Sequence, residues 1–293
     1  MNRNRLSIII PAKNEAANLQ PLLTQLTALY PTAEIIIVDD GSTDDTAELC
    51  RTQGVRRIHH PYSLGNGAAI KTGARAATGD VLVFMDGDGQ HQPADIARLL
   101  DTLAQGYDMV VGARREHSQA SWGRGFANRI YNRLASWMTD HPILDLTSGF
   151  RAVRADQFLE FLYLLPNGFS YPTTITMAFF RSGYPVAYIP ITASKRGGKS
   201  HLRPLQDGVR FFLIIFKVGT LYSPLKLFFP ISLGFFLLGT IYYAHTFFTQ
   251  NRFTNMGMLL MIVAVVVFLM GLLSEQITSL FYQKSAVHLQ KNQ

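Results

Sequence analysis

The sequence predicts an α/β domain with a mostly parallel sheet and helices on both faces, followed by interfacial helices and a two-helix transmembrane hairpin. Short apolar runs alternate with segments of helical periodicity over the first 113 residues, which is typical of strand–helix–strand units. Two nearly uncharged segments near the end of the chain each have roughly the 20 residues that a bilayer core requires. The 293 residues therefore accommodate one large domain and a membrane anchor.

The predicted strands are short runs rich in β-branched and other apolar residues. Pro11 ends the first of them, and the second ends at Asp39. The strands span residues 6–10, 34–38, a brief stretch near 57–58, 81–85 and 109–113.

The predicted helices have apolar residues at helical spacing, or residues typical of helix ends. Leu19, Leu22 and Leu26 share one helix face, and Pro31 follows that helix. Gly79 follows an alanine-rich helix as its C-terminal stop. The helices span 14–30, from Thr43 or Asp44 to about 53, 68–77 and 93–105.

The last third of the chain is predicted to associate with a membrane. Residues 204–226 are apolar and aromatic but carry charges, which is typical of helices in the membrane interface. Residues 227–248 and 256–274 are the predicted spans, joined by a short polar loop, and Pro230 is expected in the first turn of the first span. The predicted domains are thus 1–203, 204–226 and 227–293.

Basic residues predict the orientation of this hairpin. They flank the spans on the side of the termini and are fewer in the loop, which places the α/β domain and both termini in the cytoplasm, with the hairpin in the inner membrane. A hairpin buried inside a soluble protein is the alternative. The flanking residues are Lys217, Lys226, Lys284 and Lys291, against Arg252 in the loop.

The charge distribution favours an anionic substrate over nucleic acid. Residues 1–112 carry 9 basic and 13 acidic side chains (net −4), residues 113–203 carry 12 and 5 (net +7), and residues 204–293 carry 6 and 2 (net +4). A basic middle part suits an anionic acceptor, although a solvated basic face would look the same. Nucleic acid is a poor candidate because these residues adjoin a membrane segment. The single Cys50 excludes an intrachain disulfide or a cysteine metal cluster.

Acidic clusters follow two of the predicted strands. Asp39 and Asp40 end the second strand, and Asp86-Gly87-Asp88 follows the fourth. Ligands of parallel α/β sheets bind at the carboxyl ends of the strands, so these clusters are expected to share one crevice. The two carboxylates of the second cluster are predicted to hold a hard divalent cation against a diphosphate, with Gln90 as a further oxygen ligand. The pair at 39 and 40 has a plainer alternative, which is to cap the next helix.

These acidic residues belong to a set of four sequence motifs that resembles a known protein family. Leu-Ser-Ile-Ile-Ile-Pro-Ala-Lys-Asn-Glu at 6–15, Ile-Val-Asp-Asp-Gly-Ser-Thr-Asp-Asp-Thr at 37–46, Gly-Asn-Gly at 65–67 and Gly-Asp-Val-Leu-Val-Phe-Met-Asp-Gly-Asp-Gly-Gln at 79–90 occur in order. This set resembles a family 2 glycosyltransferase of the GT-A (Rossmann-like) fold.

Two later motifs narrow the resemblance. Asp-Leu-Thr-Ser-Gly-Phe-Arg at 145–151 and Arg-Gly-Gly-Lys-Ser at 196–200 resemble the polyprenyl-phosphate sugar synthases, which are related to dolichyl-phosphate mannose synthase and to bacterial undecaprenyl-phosphate glycosyltransferases. The similarity covers about residues 5–203, which makes this part a nucleotide-sugar transferase domain.

The resemblance implies a role for each matching residue. Pro11, Ala12 and Glu15 line the nucleotide pocket, and Asp39 or Asp40 accepts from a base N–H. Asp86, Asp88 and Gln90 hold Mg²⁺ or Mn²⁺ against the diphosphate, with Gly87 between them. Arg114 and Arg124 grip the acceptor phosphate, and Arg196 and Lys199 close over the donor. Guanidinium groups suit phosphate because they bind it bidentately.

The sequence departs from relatives at three places. Ser63 stands where relatives often carry a lysine that contacts the diphosphate, and His201 ends a later loop that often ends in lysine. Many family 2 enzymes also place a base carboxylate in the region 168–174, and this sequence has none there. An alcohol acceptor needs a base, whereas a phosphate monoester with a second pKa near 6 is already dianionic and nucleophilic at neutral pH.

The sequence therefore predicts an inverting, metal-dependent transferase. It would move a monosaccharide from a nucleotide-diphosphate sugar, with a UDP-sugar favoured, to undecaprenyl or another polyprenyl phosphate and form a β-linked product. Alternatives are a GDP-mannose-dependent synthase, transfer to another lipid-linked acceptor with Asp145 as base, and a non-catalytic membrane scaffold that binds nucleotide. A homo-oligomer is possible. A nicotinamide-dependent enzyme is disfavoured, since no Gly-x-Gly-x-x-Gly follows the first strand.

Overall fold

The computed structural model describes residues 5–114, 122–168, 171–192, 216, 219–252 and 254–290, and their side chains except those of 122–128 and 281–290. The chain separates into two compact units, Met1–His201 and Leu202–Gln293.

The first unit contains a seven-stranded sheet within the described residues. The strand order is β3-β2-β1-β4-β6-β5-β7. Every described strand pair is parallel except those that β6 forms with β4 and β5. The strands are β1 (Leu6–Ala12), β2 (Glu34–Asp39), β3 (Arg56–His59), β4 (Val81–Phe84), β5 (Met109–Arg114), β6 (Arg151–Arg154) and β7 (Val186–Ile191).

Helices follow most of the strands in this unit. They are α1 (Ala16–Leu29), α2 (Thr46–Thr52), α3 (Asn66–Ala76), α4 (Asp95–Leu103), α5 (Trp122–Thr139), α6 (Ala155–Glu160) and α7 (Tyr171–Arg181), with a short 3-10 helix at Leu162–Leu164.

The sheet has helices on both faces because successive side chains of a strand point in opposite directions. Ile8 and Ile10 of β1 are fully buried in a core that contains Leu19 and Leu23 of α1 and residues of α4. Ile9 points to the other face, where α3 packs so closely that a Cβ on Gly73 would lie 2.4 Å from an Ile9 methyl group. The predicted mostly parallel sheet with helices on both faces is confirmed.

The strands β6 and β7 and the helices α6 and α7 were not anticipated from the sequence. The four residues of β6 are too few and too polar at their ends to show a periodic pattern, since Arg151 and Arg154 bound the strand. Only the sheet around it makes this segment a strand, because β6 fills the space between β4 and β5.

The second unit contains two long helices, α8 (Pro224–Gln250) and α9 (Asn255–Gln290). By length and composition, Pro224–Gln250 and Asn255–Leu280 could each cross a membrane. Small residues let the two helices approach: a Cβ on Gly271 would lie 2.8 Å from Phe228 Cβ, and Ser232 Oγ donates to the Ala264 carbonyl at 2.8 Å.

One expectation for this part of the chain is wrong, and another stays a prediction. Helix α8 begins at Pro224, so Pro230 lies inside the helix and not in its first turn. The cause is Pro224 itself, which occupies a favourable position at the helix start. Of the predicted interfacial segment 204–226, most lies outside the described residues.

Candidate active site

The polar residues of the site converge at one edge of the sheet. The parallel strands β1, β2, β4 and β5 end at this edge with Ala12, Asp39, Phe84 and Arg114. Since β6 runs antiparallel to β4 and β5, its first residue, Arg151, lies at the same edge, opposite Phe84 and Val111. The segment that precedes β6, residues 145–150, is thereby placed beside the ends of β4 and β5.

Arg114 and Asp145 form a bidentate ion pair at this edge. Arg114 donates from Nε to Asp145 Oδ2 at 2.8 Å and from Nη2 to Asp145 Oδ1 at 3.0 Å. Arg114 Nη2 also donates to Thr147 Oγ1 at 2.6 Å, and the Arg114 backbone N–H donates to Asp145 Oδ2 at 3.2 Å. This geometry fixes the plane of the guanidinium group.

The ion pair keeps both groups charged. Burial alone would raise the pKa of Asp145, but the hydrogen bonds and charge of Arg114 lower it below its ordinary value. Burial would lower the pKa of Arg114, and the bonds and charge of Asp145, with a smaller contribution from Asp86, raise it. Asp145 is buried, and both of its carboxylate oxygens accept hydrogen bonds. This environment suits a carboxylate that orients another side chain better than one that accepts a proton.

The acidic turn after β4 lies next to the same segment. A Cβ on Gly149 would lie 2.9 Å from Asp86 Oδ2 and 3.3 Å from Oδ1, so only glycine leaves room for this carboxylate. Gly87 is buried against the carbonyl of Pro11. Gly89 turns the chain with a φ of 72°, and Asp88 Oδ1 accepts from the Gln90 backbone N–H at 3.2 Å.

The residues of this turn fit a divalent cation of the magnesium type. Asp86, Asp88 and Gln90 offer only oxygen ligands and are partly exposed, as a hard cation with further ligands from a diphosphate requires. Among the described residues, no group of three or more His, Cys, Asp or Glu side chains is placed to hold a metal alone.

His91 packs beside this turn and accepts a hydrogen bond from it. Its ring stacks on Phe150 with 4.9 Å between ring centroids and 14° between planes, and the Asp86 backbone N–H donates to His91 Nδ1 at 3.4 Å. Burial lowers the pKa of His91 to about 4, so the ring is neutral at neutral pH. Phe150 in turn packs against Gly112, where a Cβ would lie 2.7 Å from the Phe150 ring.

Arg151 is a fully buried arginine that organises the segment after the site. Its guanidinium donates to the carbonyls of Ser148 and Pro172 and to Thr176 Oγ1. It also lies 5.8 Å from the centre of the Tyr171 ring. A buried charge is costly, and these bonds and the aromatic ring offset that cost. The sequence offered only one signal for this role, which is the arginine at the end of the 145–151 motif.

Asp40 anchors the loop between β3 and α3. Its carboxylate accepts from Ser63 Oγ at 2.7 Å and from the backbone N–H groups of Leu64 and Gly65 at 2.8 and 2.9 Å. His60 Nδ1 lies 2.8 Å away on the other side. Although burial opposes the shift, these partners lower the pKa of Asp40 to about 2.

Asp39 is buried and binds Arg57, which donates from Nε and Nη2 at 2.9 and 2.5 Å. Ser42 N–H donates to the other oxygen at 2.8 Å. Thus Asp39 and Asp40 both hold loops at the predicted nucleotide pocket. Their predicted contact with the base stays a prediction. The helix-capping alternative is wrong, because Asp45 directly precedes α2 and the carboxylates of Asp39 and Asp40 bind other groups.

The loops after β1 and β2 are joined at the same edge. Asn14, with a φ of 55°, donates its N–H to Ser42 Oγ at 3.0 Å and accepts from the Thr43 N–H at 2.8 Å. Pro11 and Glu15 are half-buried and Ala12 is buried beside these loops. Sequence reasoning missed Asn14, and its place within the Lys-Asn-Glu stretch was the available signal.

Lys71 of α3 forms hydrogen bonds with a loop that is distant in sequence. It donates from Nζ to the Leu165 carbonyl at 3.1 Å and to Asn167 Oδ1. The backbone of Asn167 and Gly168 also accepts from the N–H groups that open α3, at 2.8 and 3.1 Å. Burial lowers the pKa of Lys71. The lysine therefore fixes the 165–168 loop on the start of α3.

Three predicted residues cannot be placed. Arg124 lies on α5, but its side chain is outside the described residues. Arg196 and Lys199 lie in 193–215, which is also outside them.

The fold of the first unit is of the GT-A class. It resembles glucosyl-3-phosphoglycerate synthase from Mycobacterium tuberculosis, solved with Mn²⁺, UDP and glucosyl-3-phosphoglycerate, with a TM-score of 0.59 and 22% identity over 74% of this chain and 78% of that one. At this identity the likeness concerns the fold alone.

The chain belongs to glycosyl transferase family 2, whose family model matches residues 7–161. It is therefore a glycosyltransferase. Residues 223–280 match a second model, described as the GtrB C-terminal hairpin, which agrees with the two apolar helices and indicates membrane association.

Similar proteins with names indicate which branch of family 2 this chain resembles. The chain is 31% identical over 259 residues to undecaprenyl-phosphate 4-deoxy-4-formamido-L-arabinose transferase of Pseudomonas savastanoi, covering 82% of this chain and 72% of the relative. It is 30% identical over 213 residues to undecaprenyl-phosphate mannosyltransferase of Micrococcus luteus, covering 66% and 84%. The chain spans about half the length of some other curated relatives it matches. The predicted resemblance to polyprenyl-phosphate sugar synthases is confirmed.

Proposed function

We propose that this glycosyltransferase moves one monosaccharide from a nucleotide-diphosphate sugar to the phosphate of a polyprenyl phosphate, with inversion at the sugar carbon. A phosphate oxygen of the lipid attacks C1 as the bond from C1 to the nucleotide diphosphate breaks. The products are a β-linked polyprenyl-phosphate sugar and a nucleoside diphosphate. The single observation that carries the proposal is the oriented guanidinium of Arg114 beside the acidic turn.

Arg114 is the proposed partner of the acceptor phosphate. Its Nε and Nη2 donate hydrogen bonds to Asp145 and Thr147. These bonds fix the plane of the guanidinium group and therefore the direction of its other N–H groups. A pre-oriented guanidinium binds phosphate without the cost of ordering a long side chain. Arg124 is proposed to bind the same phosphate, and Arg196 and Lys199 are proposed to bind the donor.

Asp86, Asp88 and Gln90 are the proposed ligands of Mg²⁺ or Mn²⁺. When bound there, the cation offsets the negative charge that develops on the departing diphosphate. Gly149 leaves room for the Asp86 carboxylate, and the His91 ring, stacked on Phe150, accepts from the Asp86 backbone N–H.

No base is required for this reaction, because the acceptor is an anion before it attacks. The contacts of Asp145 agree with this, since both of its oxygens accept hydrogen bonds from Arg114 and its pKa is lowered. We therefore assign Asp145 to the orientation of Arg114 and not to proton transfer.

We propose a UDP-sugar as donor, with the loops held by Asp39, Asp40 and Asn14 forming the nucleotide pocket. GDP-mannose is the second candidate, and relatives named as a mannosyltransferase and a polyprenol monophosphomannose synthase favour it. The proposed location is the inner membrane, with the transferase domain and both termini in the cytoplasm.

A donor panel tests the proposal. Purified full-length protein is incubated with undecaprenyl phosphate, Mg²⁺ or Mn²⁺, and one radiolabelled UDP- or GDP-sugar at a time. We expect chloroform-soluble label with one donor, and loss of that label in Asp88→Asn but not in the matched control Asp101→Asn on α4. Undiminished transfer by Asp88→Asn would refute the metal assignment. Absence of lipid-soluble label with every donor would count against the reaction.

A further inference from the structure

Helix α5 presents an apolar and basic face to solvent. Ile130 is 50% exposed and Trp137 is 46% exposed, and Arg133 lies exposed between them. These positions follow the i, i+3, i+7 spacing of a single helix face. The opposite face is buried through Tyr131 and residues one and two turns further along, Ala135 and Met138. The outer face is therefore a defined surface of the domain.

The loop that follows α5 covers a neighbouring side of the helix. Asn132 Nδ2 donates to the Leu144 carbonyl at 2.7 Å, and the Ile143 N–H donates to Ser136 Oγ at 2.9 Å. Asn132 and Ser136 lie about 100° or more around the helix from Trp137, so this loop leaves Ile130, Arg133 and Trp137 exposed. We call these three residues the α5 face.

The charge of α5 has one sign. Trp122–Thr139 contains Arg124, Arg129 and Arg133 and no aspartate or glutamate. A helix that combines arginines with tryptophan and aliphatic side chains on an exposed face is typical of binding to an anionic lipid surface. Tryptophan is enriched at that depth, because its ring is apolar and its N–H is polar.

We propose that the α5 face lies on the headgroup layer of an anionic membrane. Arg133 contacts lipid phosphates, and the exposed side chains of Ile130 and Trp137 enter the boundary between headgroups and acyl chains. A second copy of the chain is a less suitable occupant, since a two-fold contact would bring the like charges of two α5 helices together. The chain carries two helices long and apolar enough to span a bilayer, which favours a lipid surface as the occupant.

This surface goes beyond the proposed sugar transfer, because it assigns a second membrane contact to the transferase domain itself. The contact is measured without donor or acceptor, so its failure leaves the proposed reaction untouched. Failure of the proposed sugar transfer would likewise leave the membrane contact of the α5 face untouched.

The test uses Trp137 as a reporter in the full-length protein. The chain has 2 tryptophans, so Trp122→Phe leaves Trp137 alone. The variant is reconstituted in vesicles of phosphatidylglycerol and phosphatidylcholine, with the phosphatidylcholine either ordinary or brominated on its acyl chains. We expect the brominated lipid to lower Trp137 emission by roughly a third or more, since interfacial residues enter the acyl boundary. Equal emission in both vesicles overturns the proposal.

A matched control places the reporter elsewhere on the domain. In Trp122→Phe/Trp137→Phe/Leu29→Trp the tryptophan sits at the end of α1, where Leu29 is exposed. Its emission should be equal in ordinary and brominated vesicles. Quenching of this control to the same extent as Trp137 would show non-specific contact and would also overturn the proposal.

A second measurement protects against misfolding of the tryptophan variants. Ile130→Cys in a Cys50→Ser background is labelled with an environment-sensitive fluorophore. Its emission should shift to the blue in phosphatidylglycerol vesicles and shift less in vesicles of phosphatidylcholine alone. An equal shift in both removes the role of the arginines. A shift that depends only on protein concentration assigns the face to a second copy of the chain and contradicts the lipid contact.

Discussion

The carboxylate of Asp145 accepts two parallel hydrogen bonds from the guanidinium of Arg114, at 2.8 and 3.0 Å. The pair forms because the antiparallel strand β6 begins at the edge where β5 ends. As a consequence, the Arg114 side chain has one orientation, and the negative charge of Asp86 contributes to raising its pKa.

Asp145→Asn should weaken the binding of the acceptor more than the binding of the donor. The amide keeps the size of the side chain but loses the charge and one of the two paired acceptors for Arg114, so the guanidinium is held less firmly. We expect the KM for polyprenyl phosphate to rise about tenfold, which corresponds to about 1.4 kcal/mol, with little change in the KM for the nucleotide sugar. Steady-state kinetics with each substrate varied in turn measures both constants.

The pH profile separates this role from that of a base. If Asp145 only orients Arg114, the variant keeps the wild-type pH dependence of kcat. A kcat that collapses while both KM values stay unchanged would restore the general-base alternative. Asp108→Asn is the control, because Asp108 pairs with Arg154 at 3.3 Å on the opposite edge of the sheet and should leave the acceptor KM unchanged.

Gly149→Ala should damage the acidic turn without unfolding the domain. The new Cβ would lie 2.9 Å from Asp86 Oδ2, so the carboxylate must rotate away from its present position. We expect the half-saturating concentration of Mn²⁺ to rise about tenfold, equivalent to about 1.4 kcal/mol. Gly234→Ala is the control, since a Cβ there meets open space. The same Mn²⁺ requirement in both variants would separate Gly149 from the metal site.

Asp40→Asn should destabilise the protein in a pH-dependent manner. The folded-state pKa of Asp40 is lowered from 3.8 to about 2, so the ionised group contributes stability above pH 4 and loses it as the pH falls toward 2. The contribution above pH 4 is about 2 kcal/mol. Thermal unfolding in detergent should show a lower Tm for the variant at pH 7 and a smaller difference near pH 3.

The exposed Asp45→Asn serves as the control for that measurement. A constant Tm difference for Asp40→Asn between pH 7 and pH 3 would contradict the stabilising role of the ionised carboxylate.

Gly271→Leu should separate the two long helices. A Cβ at this position already lies 2.8 Å from Phe228 Cβ, and a larger side chain cannot be accommodated without moving a helix. We expect a smaller yield of folded protein in membranes and a lower Tm than for Gly234→Leu, measured by gel filtration and circular dichroism in one detergent. Identical behaviour of the two variants would mean that the helices do not pack as described.

The sequence predicted those parts of the fold that have strong periodic patterns. Strands such as Leu6–Ala12 and Val81–Phe84 are buried apolar runs, and α1 has leucines at helical spacing, so their positions follow from local residues. The strand Arg151–Arg154 was missed because its conformation depends on two distant strands.

The site shows the same division. Asp86 and Asp88 were placed at the end of a strand from sequence alone, and Arg114 was assigned to the same crevice. The pairing of Arg114 with Asp145 and the stacking of His91 on Phe150 were not found, because these contacts join segments that are far apart in sequence. The contacts of Lys71 were not found for the same reason, since its partners lie at 165–167.

Comparison of two acceptors tests the central claim most directly. The full-length protein is given its best donor and either undecaprenyl phosphate or undecaprenol, the corresponding alcohol, and release of nucleoside diphosphate is measured. We expect release with the phosphate, none above background with the alcohol, and loss of release with the phosphate in Arg114→Ala. Equal turnover with the alcohol, or full activity in Arg114→Ala, would contradict an acceptor phosphate held by an oriented arginine.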